Sequence, residues 1–277
     1  MKLKIIILLS LLHITLVSCD KEYPSAEQKL VIEGWIENGE FPVVLVSLSG
    51  SKANDGDMIS DFMVRWAKVS INDGDSTYIL TGAMDDNYTP PFSYKSYDLR
   101  GKCGKTYTLK VEYNNMTATA ITKIPESVKI DSVTVSNITD NDSLRLISVH
   151  FTNPYHNESF YRLRYRNFNN ENRFYPSFLG TFKVSSEQNV KLPLYRTKIK
   201  TIEDDYIPYF HIGSKLEIRL GHIDEESFLI WQDYDNAVNF GSSIFFQTQS
   251  SLKTNINGGY GHWIGYGISK TNIELTK

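Results

Sequence analysis

The chain lacks the clustered charge of a nucleic-acid binder and has few cysteines. Its 277 residues include 29 Lys and Arg against 32 Asp and Glu, with a formal net charge of −3. No long block of like charge occurs, whereas nucleic-acid binders neutralise phosphates with clustered basic residues. The composition therefore argues against nucleic acid as a partner. Only two cysteines are present, Cys19 and Cys103, which allow at most one disulfide.

Familiar signatures of catalysis and metal binding are also missing. There is no Gly-x-Ser-x-Gly elbow for a hydrolase nucleophile, and no histidine lies at a zinc-ligand spacing. The acidic group Asp55, Asp57 and Asp61 fails the EF-hand spacing and is interpreted as a solvated turn. We therefore predict no catalytic residue, no metal and no cofactor. A triad assembled from distant parts of the chain would escape this search, as would a pair of glycosidase carboxylates.

What the chain has in abundance is residues suited to strands and turns. Aromatic residues make up 13%, with 17 Tyr and 14 Phe, and Asn, Ser and Thr are plentiful while Ala is scarce. β-Branched and aromatic side chains favour pleated, half-buried surfaces rather than helices. This composition predicts an all-β protein.

The N-terminal stretch MKLKIIILLSLLHITLVSC has the parts of a signal peptide in order. Two lysines precede an apolar run over residues 5–17, too short for a bilayer span of ~20 apolar residues. Cys19 follows the small Ser18 and resembles the cysteine of a bacterial lipobox, whose acylated residue becomes the new N-terminus. The alternative is an ordinary signal peptide with a chance cysteine. If Cys19 carries lipid, Cys103 has no disulfide partner and is expected to be a part-buried thiol.

We divide the mature chain into two consecutive antiparallel β-sandwich-like domains. Residues 1–18 form the signal peptide, and residues 19–28 form the lipidated cysteine and a polar tether. Residues 29–125 contain paired strand and turn signals, as in Thr106–Tyr113 with its strict alternation. Residues 126–277 form a second β-rich domain. Its helix is predicted near residues 224–238, with Asp224 as the N-cap.

Arg162, Arg164 and Arg166 are candidate contacts because they share one face of a strand. One interpretation is a basic stripe for an anionic glycan or lipid headgroup. The other, which we favour, is a solvated face balanced by acids on a neighbouring strand.

The glycine-rich end NINGGYGHWIGYG offers a second set of candidates. It is either a tightly packed closing strand or an aromatic platform for the flat face of a sugar. We favour packing and predict that Trp263 is buried, with Tyr260 and Tyr266 as the exposed pair. His262 is the remaining candidate contact in this segment.

Several segments taken in order carry a family resemblance. They are the lipobox, LVIEGWIENGEFPVVLVSLS, AKVSINDGDSTYIL, GKTYTLKVEYNNMTATAITKIPE, VHFTNPYHNESFYRLRY and SSLKTNINGGYGHWIGYGIS. Together they resemble Bacteroidota outer-membrane lipoproteins grouped as domain-of-unknown-function family 4249. The first half also resembles the transthyretin-like sandwich that regulates carboxypeptidases. The chain departs from the family in SSIFFQTQSS, where a stretch rich in Asn, Pro and Phe is usual.

The resemblance implies a location and a context but supplies no catalytic residues. It implies an acylated, palmitate-bearing lipoprotein of the outer membrane, often encoded beside a TonB-dependent receptor. Our first hypothesis is therefore a non-enzymatic accessory protein of an outer-membrane transport system. The second is a stand-alone surface module that binds a glycan or peptide, and the third is a glycan-directed hydrolase.

Membrane anchoring should depend on the thiol of Cys19. Burying acyl chains gains ~0.8 kcal/mol per methylene, so several chains make the attachment effectively irreversible. Cys19→Ala should leave soluble periplasmic protein or an uncleaved precursor after membrane fractionation, whereas the control Cys103→Ala should remain anchored. A processed Cys19→Ala chain found in membranes at the wild-type level would contradict the lipoprotein hypothesis.

Overall fold

The computed structural model describes residues 28–49, 62–139, 141–169, 173–197, 206–240 and 252–276. Within these ranges the protein is all-β with one helix, as predicted. Cys19 and the acidic group at residues 55–61 lie outside the described residues. The described helix is not long and apolar enough to cross a membrane.

The elements follow the chain in this order: β1 (Leu30–Glu37), β2 (Val43–Leu48), β3 (Lys68–Asn72), β4 (Thr77–Met84), β5 (Phe92–Lys95), β6 (Thr106–Tyr113), β7 (Met116–Lys123), β8 (Ile130–Ile138), β9 (Asn141–Asn153), β10 (Ser159–Asn167), β11 (Tyr175–Val184), β12 (Gln188–Leu194), β13 (Phe210–His211), β14 (Lys215–Ile223), α1 (Glu225–Phe240) and β15 (Gly259–Glu274). The helix begins as predicted, since Asp224 Oδ1 accepts a hydrogen bond of 2.8 Å from the backbone N–H of Ser227.

Eleven strands form one sheet in the order β11-β10-β14-β15-β1-β2-β5-β4-β3-β6-β7. A second, four-stranded sheet has the order β12-β9-β13, with β8 paired to β9. One strand pair departs from the antiparallel pairing that we predicted, because β1 and β15 are parallel. The large sheet is therefore mixed. Parallel partners need a long connection between them, and here almost the whole chain provides it.

Strand β15 connects the two halves of the chain. It comes from beyond residue 126, yet it pairs with β1 on one side and with β14 on the other. Buried apolar side chains form one core mainly from residues 30–124 and another from residues 128–275. Trp263 and Ile256 belong to the first of these cores despite their position near the C-terminus. The division into two domains stays a prediction. To separate the two halves, β15 would have to break its pairing with β1.

Trp263 is fully buried, which confirms the packing interpretation for this residue. Its indole N–H donates a hydrogen bond of 3.0 Å to the carbonyl of Tyr107. Glycines make this close approach possible. A Cβ at Gly34 would lie 2.8 Å from Trp263 Cε3, and Gly261 has φ +101° with a hypothetical Cβ 1.9 Å from the carbonyl oxygen of Ile32. Larger residues at either position would push β15 away from β1.

Truncating Trp263 to alanine should lower the free energy of unfolding by ~3–5 kcal/mol, because it removes a large side chain from a close-packed core. Chemical denaturation monitored by circular dichroism measures this change. The matched control is Trp66→Ala, since Trp66 is 87% exposed and should alter stability little. Equal unfolding midpoints for the two variants would contradict the burial of Trp263.

Candidate functional site: an arginine-lined cleft

One face of the large sheet carries charged and aromatic side chains from four adjacent strands. Directly paired residues on neighbouring strands point to the same face of a sheet. Glu37 of β1 pairs with Tyr266 of β15, while Arg164 of β10 pairs with Arg219 of β14. Glu217 is opposite Arg166 in the same way. These side chains belong to one patch, the central part of which forms the floor of a cleft of about 720 Å³.

The walls of the cleft come from both halves of the chain. The first half contributes the loop residues Asn87, Tyr88 and Thr89, and the second contributes Arg173, Phe174 and Pro176 before and within β11, together with Trp231 and Tyr234 of α1. Arg173 links the two sides, because its Nη2 donates a hydrogen bond of 2.8 Å to the carbonyl of Asp86. The cleft is therefore a joint product of sequence segments far apart in the chain.

Ion pairs run across the floor as a chain of alternating charge. Both oxygens of Glu37 are occupied, one by Arg164 and the other by Arg219 Nη1 at 2.5 Å. Glu217 bridges in the same manner, with Arg219 Nε at 2.7 Å and Arg166 Nη2 at 2.6 Å. The sequence of partners is thus Arg164, Glu37, Arg219, Glu217, Arg166. Buried charges require such pairing, because desolvation of an unpaired ion is costly.

This pairing fixes the charge states of the two carboxylates. Burial alone would raise the pKa of Glu37, but the charges and hydrogen bonds of Arg164 and Arg219 outweigh it and lower the pKa. Burial opposes ionisation of Glu217 as well, and hydrogen bonds from Arg166 and Arg219 lower its pKa. Both groups are ionised at neutral pH.

Aromatic rings pack against the guanidinium groups. Arg162 lies 3.8 Å from the centroid of the Trp231 ring and Arg164 lies 4.4 Å from that of Tyr266. Phe174 contacts two guanidinium groups, with Arg219 at 4.1 Å and Arg166 at 4.7 Å from its centroid. Planar guanidinium groups stack favourably on such faces. The rings and carboxylates together leave the arginines little freedom to reorient.

The three arginines predicted from the sequence do share one face, but the favoured interpretation of a solvated face is wrong. Arg162 is 3% exposed, and Arg164 and Arg166 are largely covered. Glu217 on the neighbouring strand was the expected kind of partner. The other acids, Glu37 on β1 and Asp235 on α1, are remote in sequence from the arginines. These acids and the aromatic rings of the cleft surround the three arginines in place of solvent.

The glycine-rich end and the three arginines of β10 meet in this cleft, although they were predicted as two separate sets of candidates. Tyr266 and His262 line it, because β14 lies between β10 and β15 and brings their side chains together. The prediction of an exposed Tyr266 is wrong. Tyr266 is 2% exposed, since Arg164 covers its ring and its hydroxyl accepts a hydrogen bond of 2.8 Å from Trp231 Nε1. Tyr260 is exposed as predicted but is not among the lining residues.

Sequence reasoning missed several members of the site. Glu37, Arg219, Trp35 and Trp231 all line the cleft. Glu217 and Arg219 are two positions apart in KLEIRL and therefore share one face of a strand. The same alternation identified the arginines of β10, so it could also have identified these two residues. Nothing local to Glu37 indicates that it faces arginines more than 100 positions away.

Several titratable groups in the cleft have pKa values displaced away from neutrality. Burial and the positive charge of Arg162 lower the pKa of His262 to about 4, while burial raises that of Tyr266. Glu33 and Arg162 are shifted the other way, since desolvation raises the pKa of the Glu33 carboxyl and lowers that of the Arg162 guanidinium. Among the described residues no group of His, Cys, Asp and Glu is placed to hold a metal ion. The arrangement can donate hydrogen bonds, supply fixed charge and stack flat groups.

Replacing Glu37 with glutamine should destabilise the protein by ~3–5 kcal/mol, because it leaves two buried guanidinium groups short of a counter-charge. The pH dependence should change as well. A carboxyl with a lowered pKa contributes stability that is complete above the unfolded glutamate value of ~4.3 and is lost as pH falls through the folded value. Urea denaturation at pH 7 and at pH 3 should therefore show a smaller loss on acidification for Glu37→Gln than for the wild type.

The matched control is Glu274→Gln. Glu274 forms an ion pair with Lys215 in which both side chains are more than half exposed, and such pairs contribute little. If Glu37→Gln and Glu274→Gln have equal stability at pH 7, the chain of ion pairs does not stabilise the fold.

Comparison with known proteins identifies a family. No curated protein matches the chain significantly. A family model described as a domain of unknown function, DUF4249, matches residues 18–272. This range includes both halves of the large sheet and every residue that lines the cleft. The chain therefore belongs to the DUF4249 family.

Proposed function

We propose that this chain is a non-enzymatic, lipid-anchored binding protein of the cell envelope that serves a TonB-dependent outer-membrane transport system. Its ligand would occupy the arginine-lined cleft. The observation that carries the binding role is the fixed floor, where Arg164, Arg219 and Arg166 are held by Glu37 and Glu217. A site that is already ordered loses less entropy when a ligand binds.

The charge states of the floor support binding rather than proton transfer. A general acid or base works best when its pKa lies near the operating pH. Glu37 and Glu217 have lowered pKa values, and that of His262 is about 4, so these groups keep one protonation state around neutral pH. They are suited to holding a ligand in place.

The transport role rests on different support. Cys19 stands at the end of a signal-like segment, and the sequence resembles lipoproteins often encoded beside TonB-dependent receptors. A protein tethered to the outer membrane would present its cleft next to such a receptor and raise the local concentration of a ligand. The same cleft would serve a stand-alone glycan- or peptide-binding module, which is the second candidate function.

The third candidate function is a glycan-directed hydrolase, and Glu33 is the residue that supports it. Its raised pKa is the shift expected of a general acid. A glycosidase needs a second carboxylate across the bond to be cleaved, and Glu37 is committed to two arginines. Product analysis after prolonged incubation with oligosaccharides should therefore show no cleavage by the wild type. Cleavage that Glu33→Gln abolishes would favour the hydrolase.

The transport role is tested by purifying the tagged lipoprotein from membranes solubilised in a mild detergent. A TonB-dependent receptor should be retained with the wild-type protein and identified by mass spectrometry. It should be lost with Cys19→Ala, because the unanchored protein no longer shares a membrane with the receptor. Recovery of the anchored wild type without any such receptor, including after chemical cross-linking, would contradict the transport role.

A further inference from the structure

Arg162 has a longer closest ion-pair contact than the other three arginines on the floor of the cleft. It is 3% exposed, and its guanidinium contacts one carboxylate oxygen, Asp235 Oδ2, at 3.3 Å from Nη1. Its other nitrogens have no hydrogen-bond partner among the described residues. Arg164 and Arg166 also make one hydrogen bond each, but their unpartnered Nε atoms are buried. A buried guanidinium with unused donors is ready to receive oxygen atoms from a ligand.

His262 lies beside this guanidinium and has no protein hydrogen-bond partner within the described part of the chain. Its ring centroid is 4.8 Å from that of Trp231. The ring is neutral at physiological pH, since its pKa is about 4, and a neutral imidazole offers one donor and one acceptor. Arg162 and His262 both line the cleft and both contact the ring of Trp231, which places their unused polar groups near one another.

Arginines outnumber carboxylates among the residues that line the cleft. Four arginines stand on the floor, Arg162, Arg164, Arg166 and Arg219, and the lining carboxylates are Glu33, Glu37 and Glu40. Glu217 and Asp235 pair with floor arginines from outside the lining. Glu40 is 3.8 Å from Arg219 but is engaged by Lys270 at 2.8 Å.

At the rim, Arg173 adds a further positive charge. It donates to the backbone oxygens of Asp86 and Tyr88 and to the hydroxyl of Thr89, and none of these acceptors is a carboxylate. An anionic ligand group would add counter-charge in the cleft.

Recognition in this cleft has to proceed through side chains. Every floor strand is paired on both sides, as β1 is between β15 and β2 and β14 is between β10 and β15. A peptide that binds by strand addition requires a free sheet edge, and the floor offers none. What the cleft does offer is aromatic surface, since Trp35, Tyr88 and Tyr234 line it. Flat apolar rings and planar charged groups fit a ligand made of rings that carry polar substituents.

We propose that the cleft binds an acidic saccharide, a sugar chain whose carboxylate is received by Arg162 and His262 while a sugar ring lies against the aromatic wall. This inference rests on the binding role proposed above and names its ligand class. The guanidinium of Arg162 accommodates the two oxygens of a carboxylate better than a single hydroxyl. Selectivity for the acid over the neutral sugar follows from the surplus of arginines over carboxylates in the lining of the cleft.

Isothermal titration calorimetry with the full mature protein tests this class. The panel contains oligogalacturonate, oligomannuronate and hyaluronan fragments as acidic chains, with galactotetraose and methyl-esterified oligogalacturonate as neutral comparators. At least one acidic chain should bind ten-fold or more tightly than either neutral comparator, and rising salt should weaken it. Equal binding of neutral and acidic chains, preference for a sulfated oligosaccharide, or no binding of any acidic chain would overturn the proposal.

Variants then locate the acid-binding group. Arg162→Gln should lose the ten-fold preference while its weak affinity for neutral chains persists, and Arg162→Lys should retain part of the preference because it keeps the charge but not the planar fork. The control is Arg145→Gln, which also removes a buried arginine, one that donates to backbone carbonyls of Asp142 and Leu144. It should bind as the wild type does. An unchanged preference in Arg162→Gln would overturn the assignment.

A further variant and two contrasting outcomes separate a folding defect, the ligand class and the transport role. If Arg162→Gln fails to fold, the double variant Arg162→Gln with Asp235→Asn removes both charges of the pair and serves in its place. A protein that retains its receptor on purification but binds no acidic chain would contradict the ligand class alone. A protein that binds acidic chains but retains no receptor would contradict the transport role alone.

Discussion

The parallel pairing of β1 with β15 is the contact on which both the fold and the cleft depend. It brings a strand from the end of the chain next to the first strand, in register from Leu30 opposite Gly259 to Glu37 opposite Tyr266. Since side chains alternate along a strand, β15 serves two purposes at once. Trp263 enters the core of the first half, and Tyr266 reaches the cleft on the other face.

The chain of ion pairs orients the arginines but is not the arrangement that would stabilise the fold most. Buried ion pairs are weak contributors to stability, and apolar residues of similar volume often serve a fold as well or better. A row of arginines interrupted by Glu37 and Glu217 therefore needs a reason other than packing. Mutual hydrogen bonds and stacked rings hold each guanidinium in a defined orientation, and defined orientation is what a binding site requires. Arg162 stands outside the bridged chain and keeps donors free.

The elements predicted well from the sequence were those specified locally. The alternation in Thr106–Tyr113 and the Asp224 cap each depend on a few neighbouring residues, and the structure confirms both. The burial of Trp263 was predictable because glycines on either side leave room for close backbone approach. The parallel pairing was not, since strands so distant in sequence carry no local mark of their partnership. The same distance explains the error at Tyr266, because its cover comes from β10 and α1.

The cleft also depends on how the halves of the chain meet. Its floor spans strands from both halves, and Arg173 of the second half hydrogen-bonds to the loop of residues 86–89 in the first. A displacement of one half against the other would break the pairing of β15 with β1 and separate Arg219 from Glu37 in the same movement. The width of the cleft is therefore coupled to the core that holds Trp263. A ligand that contacts both walls would stabilise the contact between the halves, because it binds only when they are together.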